Sequence, residues 1–152
     1  MDKVIISDTS CLIALEGIDQ LVLLKQIFQQ VITTPEVEQE FGKELPDWIS
    51  VLSVKDLQFQ KELEKRLDLG EASAIALARQ LENSILIIDE KKGRKIAKEY
   101  QISIIGTLKV LILGKKKGFI PTIKDPLKKL HKIGFRFSRA ILEEILREAD
   151  EN

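Results

Sequence analysis

The chain predicts an α/β fold: a three-layer α/β/α sandwich on a parallel four- to five-stranded sheet, with further helices at the C-terminus. Two short β-branched runs, Val4-Ile5-Ile6-Ser7 and Ile85-Leu86-Ile87-Ile88, are of the kind that fill central strands buried on both faces. Strand-like and helix-like segments alternate along the chain, as parallel neighbours require, because each pair needs a crossover connection. Four carboxylates, Asp8, Glu40, Glu71 and Asp89, stand where a strand ends or the helix after it begins. In open α/β sheets that edge is where ligands bind.

The first strand, residues 3–7, leads into a helix from about Ser10 to Glu16 and a second over roughly residues 19–29, carrying Leu21, Leu24, Ile27 and Phe28. Val31-Ile32-Thr33 reads as the next strand. Thr34-Pro35 fits an N-cap and first helical residue, and the helix runs from Glu36 to Phe41 and ends near Gly42. Trp48 to Val54 reads as an extended edge strand, and Leu57 to Leu67 as a charged amphipathic helix broken by Leu69-Gly70. Residues 71–82 form an Ala-rich helix, 85–88 a strand, 91–100 a basic helix, 102–105 a short strand and 107–117 an apolar helix ending on Lys115-Lys116-Lys117. Beyond Gly118, Pro121 to Lys132 and Ser138 to Ala149 read as two amphipathic helices separated by Gly134-Phe135-Arg136-Phe137. The whole of 1–152 is expected to be one domain, with 121–149 as a C-terminal helical extension. Leu127, Leu130, Ile133, Phe135, Phe137, Ile141, Leu142, Ile145 and Leu146 are more apolar residues than two solvated helices need, so the extension is expected to pack on the body or, second to that, on another subunit.

Composition narrows the function classes. With 152 residues, 44% hydrophobic and 32% charged, the chain can build a core of its own. Its 24 basic and 24 acidic residues balance, so nucleic-acid binding has to come from a local patch. The single cysteine, Cys11, allows no internal disulfide and suits a small buried hydrophobe. No apolar run is long enough to span a bilayer, and Met1-Asp2-Lys3 leads straight into a strand, so a cytoplasmic protein with no membrane partner is expected.

Each acid has an ordinary explanation when taken alone. Asp8-Thr9-Ser10 and Asp89 precede helices and would cap them. Glu71 is more telling, because Ala74, Ile75 and Ala78 give it an apolar face that should point inward. Glu40 lies beside Phe41, but Glu36, Glu38 and Glu44 are close in sequence and spacing does not choose among them. Together, four separate junctions deliver an acid to one edge, and crowded anions are relieved by Mg²⁺ or Mn²⁺. A dinucleotide loop or phosphate-cradling loop would need glycines after the first strand, where Ser7-Asp8-Thr9-Ser10-Cys11 has none. A phosphotransfer receiver would want paired acids at the first strand end, and a dehalogenase-type phosphatase an acid at Ser10. His131 sits among Lys128, Lys129 and Lys132 as a surface residue, which leaves a metal-activated water as the economical nucleophile.

These residues resemble a PIN domain, the nuclease fold of many prokaryotic toxin–antitoxin toxins. Val4-Ile5-Ile6-Ser7-Asp8-Thr9-Ser10 resembles its first strand and first acid, Thr34-Pro35-Glu36-Val37-Glu38-Gln39-Glu40 its second, Leu69-Gly70-Glu71-Ala72 its third and Leu86-Ile87-Ile88-Asp89-Glu90 its fourth. Gly106-Thr107-Leu108 and Lys115-Lys116-Lys117-Gly118-Phe119-Ile120 are similar to a subgroup of PIN-like proteins of mostly uncharacterised function. A glutamate at the third position and Leu108-Lys109 in place of Leu-Gly are departures from the pattern.

The resemblance implies a metal-dependent endoribonuclease, a small antitoxin partner and a homodimer. Asp8, Glu40, Glu71 and Asp89 would be its catalytic acids, with Mg²⁺ or Mn²⁺ on Asp8, Glu71 and Asp89. Thr9 and Ser10 would support an acid or a metal-bound water, while Lys91, Lys92, Arg94 and Lys95 would meet the phosphates of RNA. The rival expectation is a nucleic-acid-binding or regulatory module with little turnover, since fold does not settle activity. DNA stays open as a substrate beside RNA, because no reader of the 2′-hydroxyl is identifiable.

Overall fold

The computed structural model describes residues 4–152. Met1, Asp2 and the Lys3 expected to begin the first strand lie outside the described residues. The elements are β1 (Val4–Ser7), α1 (Thr9–Gly17), α2 (Val22–Ile27), β2 (Gln30–Thr33), α3 (Pro35–Phe41), β3 (Ile49–Val51), α4 (Leu57–Glu64) and α5 (Leu69–Gln80). They continue with β4 (Ser84–Ile87), α6 (Lys91–Glu99), β5 (Ile104–Ile105), α7 (Thr107–Lys116), α8 (Lys124–Lys132) and α9 (Arg139–Glu148). The strands make one five-stranded sheet in the order β3-β2-β1-β4-β5, with every pair parallel.

The β-branched runs occupy its centre because alternate side chains feed two cores. Ile5, Val31 and Ile87 face Leu12, Leu15, Leu24 and Val110, brought by α1, α2 and α7. Ile6, Ile32 and Leu86 face Ile75, Leu77 and Ile96, brought by α5 and α6. That gives the α/β/α sandwich. Register then positions the functional edge: Ser7 pairs with Ile87 and Ile87 with Ile105, so β1, β4 and β5 end side by side. The ladder continues past them, with the Asp8 amide donating to the Ile87 carbonyl and the Ile88 amide to the Ile105 carbonyl.

Several boundaries differ from the sequence expectation. Leu69-Gly70 does not break a helix; it opens α5, because the Asp68 carboxylate caps the helix by accepting from the Glu71 amide at 2.9 Å. The break comes earlier, at the end of α4. The edge strand shrinks from residues 48–54 to Ile49–Val51, and α8 begins at Lys124 rather than Pro121.

The C-terminal extension packs on the body through Ile123, Leu127, Leu130 and Ala149, all buried in the first core. None of the residues of α9 itself is buried. Its end is fastened by Glu151, whose carboxylate accepts from the Ile123 amide at 2.8 Å and from Thr122 Oγ1 and pairs with Lys115 at 3.0 Å. Burial opposes that charge, but the bonds from Thr122, Ile123 and Lys115 outweigh it and hold the carboxyl down at about 2. The stabilisation is therefore complete above the ordinary glutamate range and is lost as pH falls through the folded value. Glu151→Gln should cost on the order of 2 kcal/mol near neutrality, as expected for a charge-assisted network. Urea unfolding should show that deficit shrinking steadily as pH is lowered from about 5 toward 2.

Candidate active site

Asp8 follows β1 and caps α1, accepting from the Cys11 amide at 3.0 Å. It is only 2% exposed. Burial pushes its carboxyl well above the usual range; the Cys11 amide opposes this, while the charges of Asp89, Glu71 and Asp68 push it further up. At this residue the structure shows the capping bond, and the neighbouring acids act against its charge.

Asp89 does not cap the helix that follows it. The N-cap of α6 is Glu90, which makes no side-chain capping bond. Instead Asp89 Oδ1 accepts from the Thr107 amide at 2.8 Å and Oδ2 from Thr107 Oγ1 at 2.5 Å, so it is clamped to the start of α7 across the β4–β5 pair. Arg94, half-buried on α6, donates from Nη1 to the Ile88 carbonyl at 2.8 Å.

Glu71 sits in the first turn of α5 and is 8% exposed. Burial, then the charges of Asp68 and Glu90, raise its carboxyl to about 7. Glu40 is an exposed residue at the end of α3, yet it is held on both oxygens: Thr9 Oγ1 donates to Oε1 at 2.6 Å and the Gly70 amide to Oε2 at 3.2 Å. That pair of bonds singles it out from Glu36, Glu38 and Glu44.

Glycines clear space for these acids. A Cβ at Gly70 would collide with Glu40 Oε1 and stand 2.8 Å from Thr9 Oγ1. At Gly93 it would collide first with Ile88 Cδ1 at 2.6 Å and also meet Glu71 Oε2 at 3.2 Å, and at Gly106 it would meet Asp89 Oδ1 at 3.0 Å. Each is a close approach that a larger residue would obstruct.

Of the expected supporting residues, Thr9 touches the cluster through Glu40. Ser10 is exposed and, among the described residues, donates to none of the acids. Lys91, Arg94 and Lys95 line a groove that opens at Asp89; Lys92 is exposed outside it. Asp68, Glu90 and Thr107 belong to the neighbourhood and are not among the residues expected from sequence. Asp68 carries a usable signal, since an acid three residues before Glu71 is an N-cap spacing.

Among the described residues, no three His, Cys, Asp or Glu side chains are gathered closely enough to form a ready-made metal cage. The donor chemistry nevertheless suits a hard divalent cation that keeps part of its water shell, because the available ligands are carboxylate oxygens. The buried Cys11 thiol is pushed up by burial and by Asp89 and Asp8, so it stays protonated and no soft ligand competes. His131 is remote in role, on α8 against Phe137.

A family model described as PIN domain matches residues 4–151, nearly the whole chain. The chain belongs to the PIN domain family. No curated protein and no solved structure matches it. PIN domains are generally nucleases and typically use divalent metals, so this PIN domain has a nuclease fold with nucleic acid as its substrate class. No helix among its described residues is long and apolar enough to cross a membrane.

The raised carboxyl at Glu71 has a thermodynamic consequence for the metal-free PIN domain. A folded value of about 7 against 4.5 means the native state holds the proton more tightly, so stability falls as pH climbs through that interval. In EDTA, Glu71→Gln should flatten this decline and raise the melting temperature above neutrality, with little effect below the unfolded value. Asp8→Asn should act in the same direction, because asparagine keeps a capping oxygen while removing a buried charge. Melting curves across pH check both; lower stability of the two variants throughout would contradict the electrostatic account.

Proposed function

We propose that this PIN domain is a divalent-metal-dependent endoribonuclease and the toxin of a toxin–antitoxin pair. The reading is supported above all by one observation: β1 and β4 pair in register and end side by side, so the buried Asp8 and the clamped Asp89 leave the sheet at the same carboxyl edge. In this reading residues 1–152 act as one domain, working in the cytoplasm, with 121–149 an extension of it.

Asp8, Glu71 and Asp89 would hold Mg²⁺ or Mn²⁺, and Glu40 would act as the fourth acid. A bound divalent cation supplies an acidified water and neutralises charge on the phosphate under attack. Hydrolysis would join the water oxygen to phosphorus and break the bond to the leaving ribose oxygen, the proton lost by the water being balanced by the one the leaving oxygen takes up from solvent. The protein's part is positioning. Thr107 fixes both oxygens of Asp89, and Thr9 with the Gly70 amide fixes those of Glu40, so neither acid must reorganise as charge develops. Lys91, Arg94 and Lys95 bring positive charge to the phosphates next to this acidic hole, with Lys92 farther out.

A second reading, a binding or regulatory module with little turnover, is favoured by the lack of a ready-made three-ligand cage among the described residues. The two are separated by incubating purified protein with single-stranded RNA and Mn²⁺. Wild type should cut and Asp8→Asn should lose at least about a hundredfold in rate, the scale of removing a metal ligand or its support. Equal cleavage by both would remove Asp8 from the mechanism, and no cleavage by either would leave the binding module.

The toxin role predicts growth arrest and RNA loss when the wild type is induced in a bacterial host, and neither with Asp89→Asn. Its antitoxin would place an Arg or Lys among the four acids, replacing the cation's charge by charge-assisted hydrogen bonds. A C₂ homodimer is part of the same proposal, supported by the family resemblance and by exposed Phe119 and Ile133. A monomer in sedimentation at high micromolar concentration would exclude it.

A further inference from the structure

A groove of about 840 Å³ lies between the body and the C-terminal extension, with Asp89 and Glu148 as the acids on its lining. One wall is α6. Its groove-lining residues Lys91, Arg94, Lys95 and Lys98 recur at helical spacing, so they form one cationic face, while Gly93, Ile96 and Ala97 turn inward. The other wall comes from the extension: Phe135, Arg136 and Phe137 from the α8–α9 connection, then Ile141 and Ile145 at successive turns of α9. Leu108 adds to the apolar floor.

The charges in this groove are unevenly committed. Lys109 is paired with Glu148, and Arg94 is bound to the Ile88 carbonyl. Lys91, Lys95, Lys98 and Arg136 take part in none of the ion pairs among the described residues. In a chain with zero formal charge, this is a local surplus of cations. A solvated lysine face would explain α6 alone. It would not explain why the surface opposite is aromatic and aliphatic, nor why Asp89 is part of the same lining.

We propose that the groove seats the stretch of single-stranded nucleic acid flanking the phosphate at the acidic site. Its phosphates lie along Lys91, Lys95, Lys98 and Arg136, and its bases lie against Phe137, Phe135 and Ile141. This rests on the nuclease reading for its direction, since the strand must reach Asp89. From Lys91 to Lys98 the cationic face extends about 10 Å, enough to follow two or three phosphates at duplex spacing. A duplex would present only its backbone and leave the apolar wall unused, whereas an unpaired strand can turn its bases onto it. The residues lining the groove include no Asn, Gln, Ser, Thr or Tyr, the side chains that read base edges without charge. The amide side chains that pair with adenine edges are absent from it, so strands of adenine and of uracil are expected to bind alike, and the extension is a wall of the substrate path.

The test is fluorescence anisotropy of the full chain with fluorescein-labelled oligouridylate, oligoadenylate, their DNA counterparts and a matched duplex, in EDTA so that neither metal nor cleavage contributes. All four single strands should bind within a few-fold of one another, and the duplex more weakly. Lys95→Ala with Arg136→Ser should make the salt dependence shallower by about 0.7 per lost cation. Phe137→Leu preserves burial and removes only the ring; it should weaken binding about fivefold or more at an unchanged salt slope. Since Phe137 also packs on the core, exposed Ile141→Ser is the companion variant, expected to weaken binding in the same way. Wild-type affinity and salt slope in all of these variants would overturn the proposal. So would a polyglutamate peptide that competes fully and is indifferent to Phe137, the behaviour of a docking face for an acidic protein. If strands bind as described but Mn²⁺ never yields cleavage, the nuclease reading fails and the groove stands. If Mn²⁺ yields cleavage and the groove variants bind and cut as wild type does, the groove fails and the nuclease reading stands.

Discussion

Asp8 is a carboxylate withdrawn from water, facing the charges of Asp89, Glu71 and Asp68, with the Cys11 amide opposing them. A protein keeps such a group only when the surrounding structure determines it, and here the parallel sheet does so. Once Ser7 pairs with Ile87, Asp8 and the residues after β4 must leave the sheet at the same edge. The neighbouring architecture then follows from holding like charges in place. Thr107 restrains Asp89, Thr9 and the Gly70 amide restrain Glu40, and Gly70, Gly93 and Gly106 give the carboxylates room. These contacts keep the acids oriented at one edge instead of letting repulsion splay them toward solvent.

In the proposed reading the same edge would let an electroneutral chain address a polyanion. Asp8 and Asp89 stand at the carboxyl edge of the sheet and Lys91, Lys95 and Lys98, unpaired among the described residues, on one face of α6 beside it, so in the proposed reading attraction and chemistry would occupy adjacent ground. The C-terminal extension completes this division. Ile123, Leu127 and Leu130 secure it to the core, and Glu151 fastens its end, which leaves α9 free to present an apolar wall.

Much of this is legible in the sequence. The β-branched runs at residues 4–7 and 85–88 mark the central strands, because side chains that must be buried on both faces leave few other solutions. Asp8 and Glu71 can be placed for the same reason. The partner of Asp89 cannot: Thr107 is eighteen residues away, and only β4–β5 pairing brings it there. Nor can spacing select Glu40, whose distinction lies in Thr9 and Gly70 from two other helices. At the start of α5, Gly70 signals a break locally, whereas the Asp68 cap and the clearance needed by Glu40 override that propensity. The apolar stripe of α9 is visible in the sequence, but its place across from the lysines of α6 depends on tertiary packing.

If this crowded edge is built for a cation, metal binding must release a proton. Glu71 stands at about 7 in the metal-free protein, so a cation bound there has to displace the proton it holds. Calorimetric titration with Mn²⁺ at about pH 6.5, repeated in buffers of different ionisation enthalpy, measures that release. Saturable binding is expected with on the order of one proton released per chain, and a release sharply reduced in Glu71→Gln. Binding with no proton release would contradict a cation site at this edge, and identical release from wild type and Glu71→Gln would remove Glu71 from it.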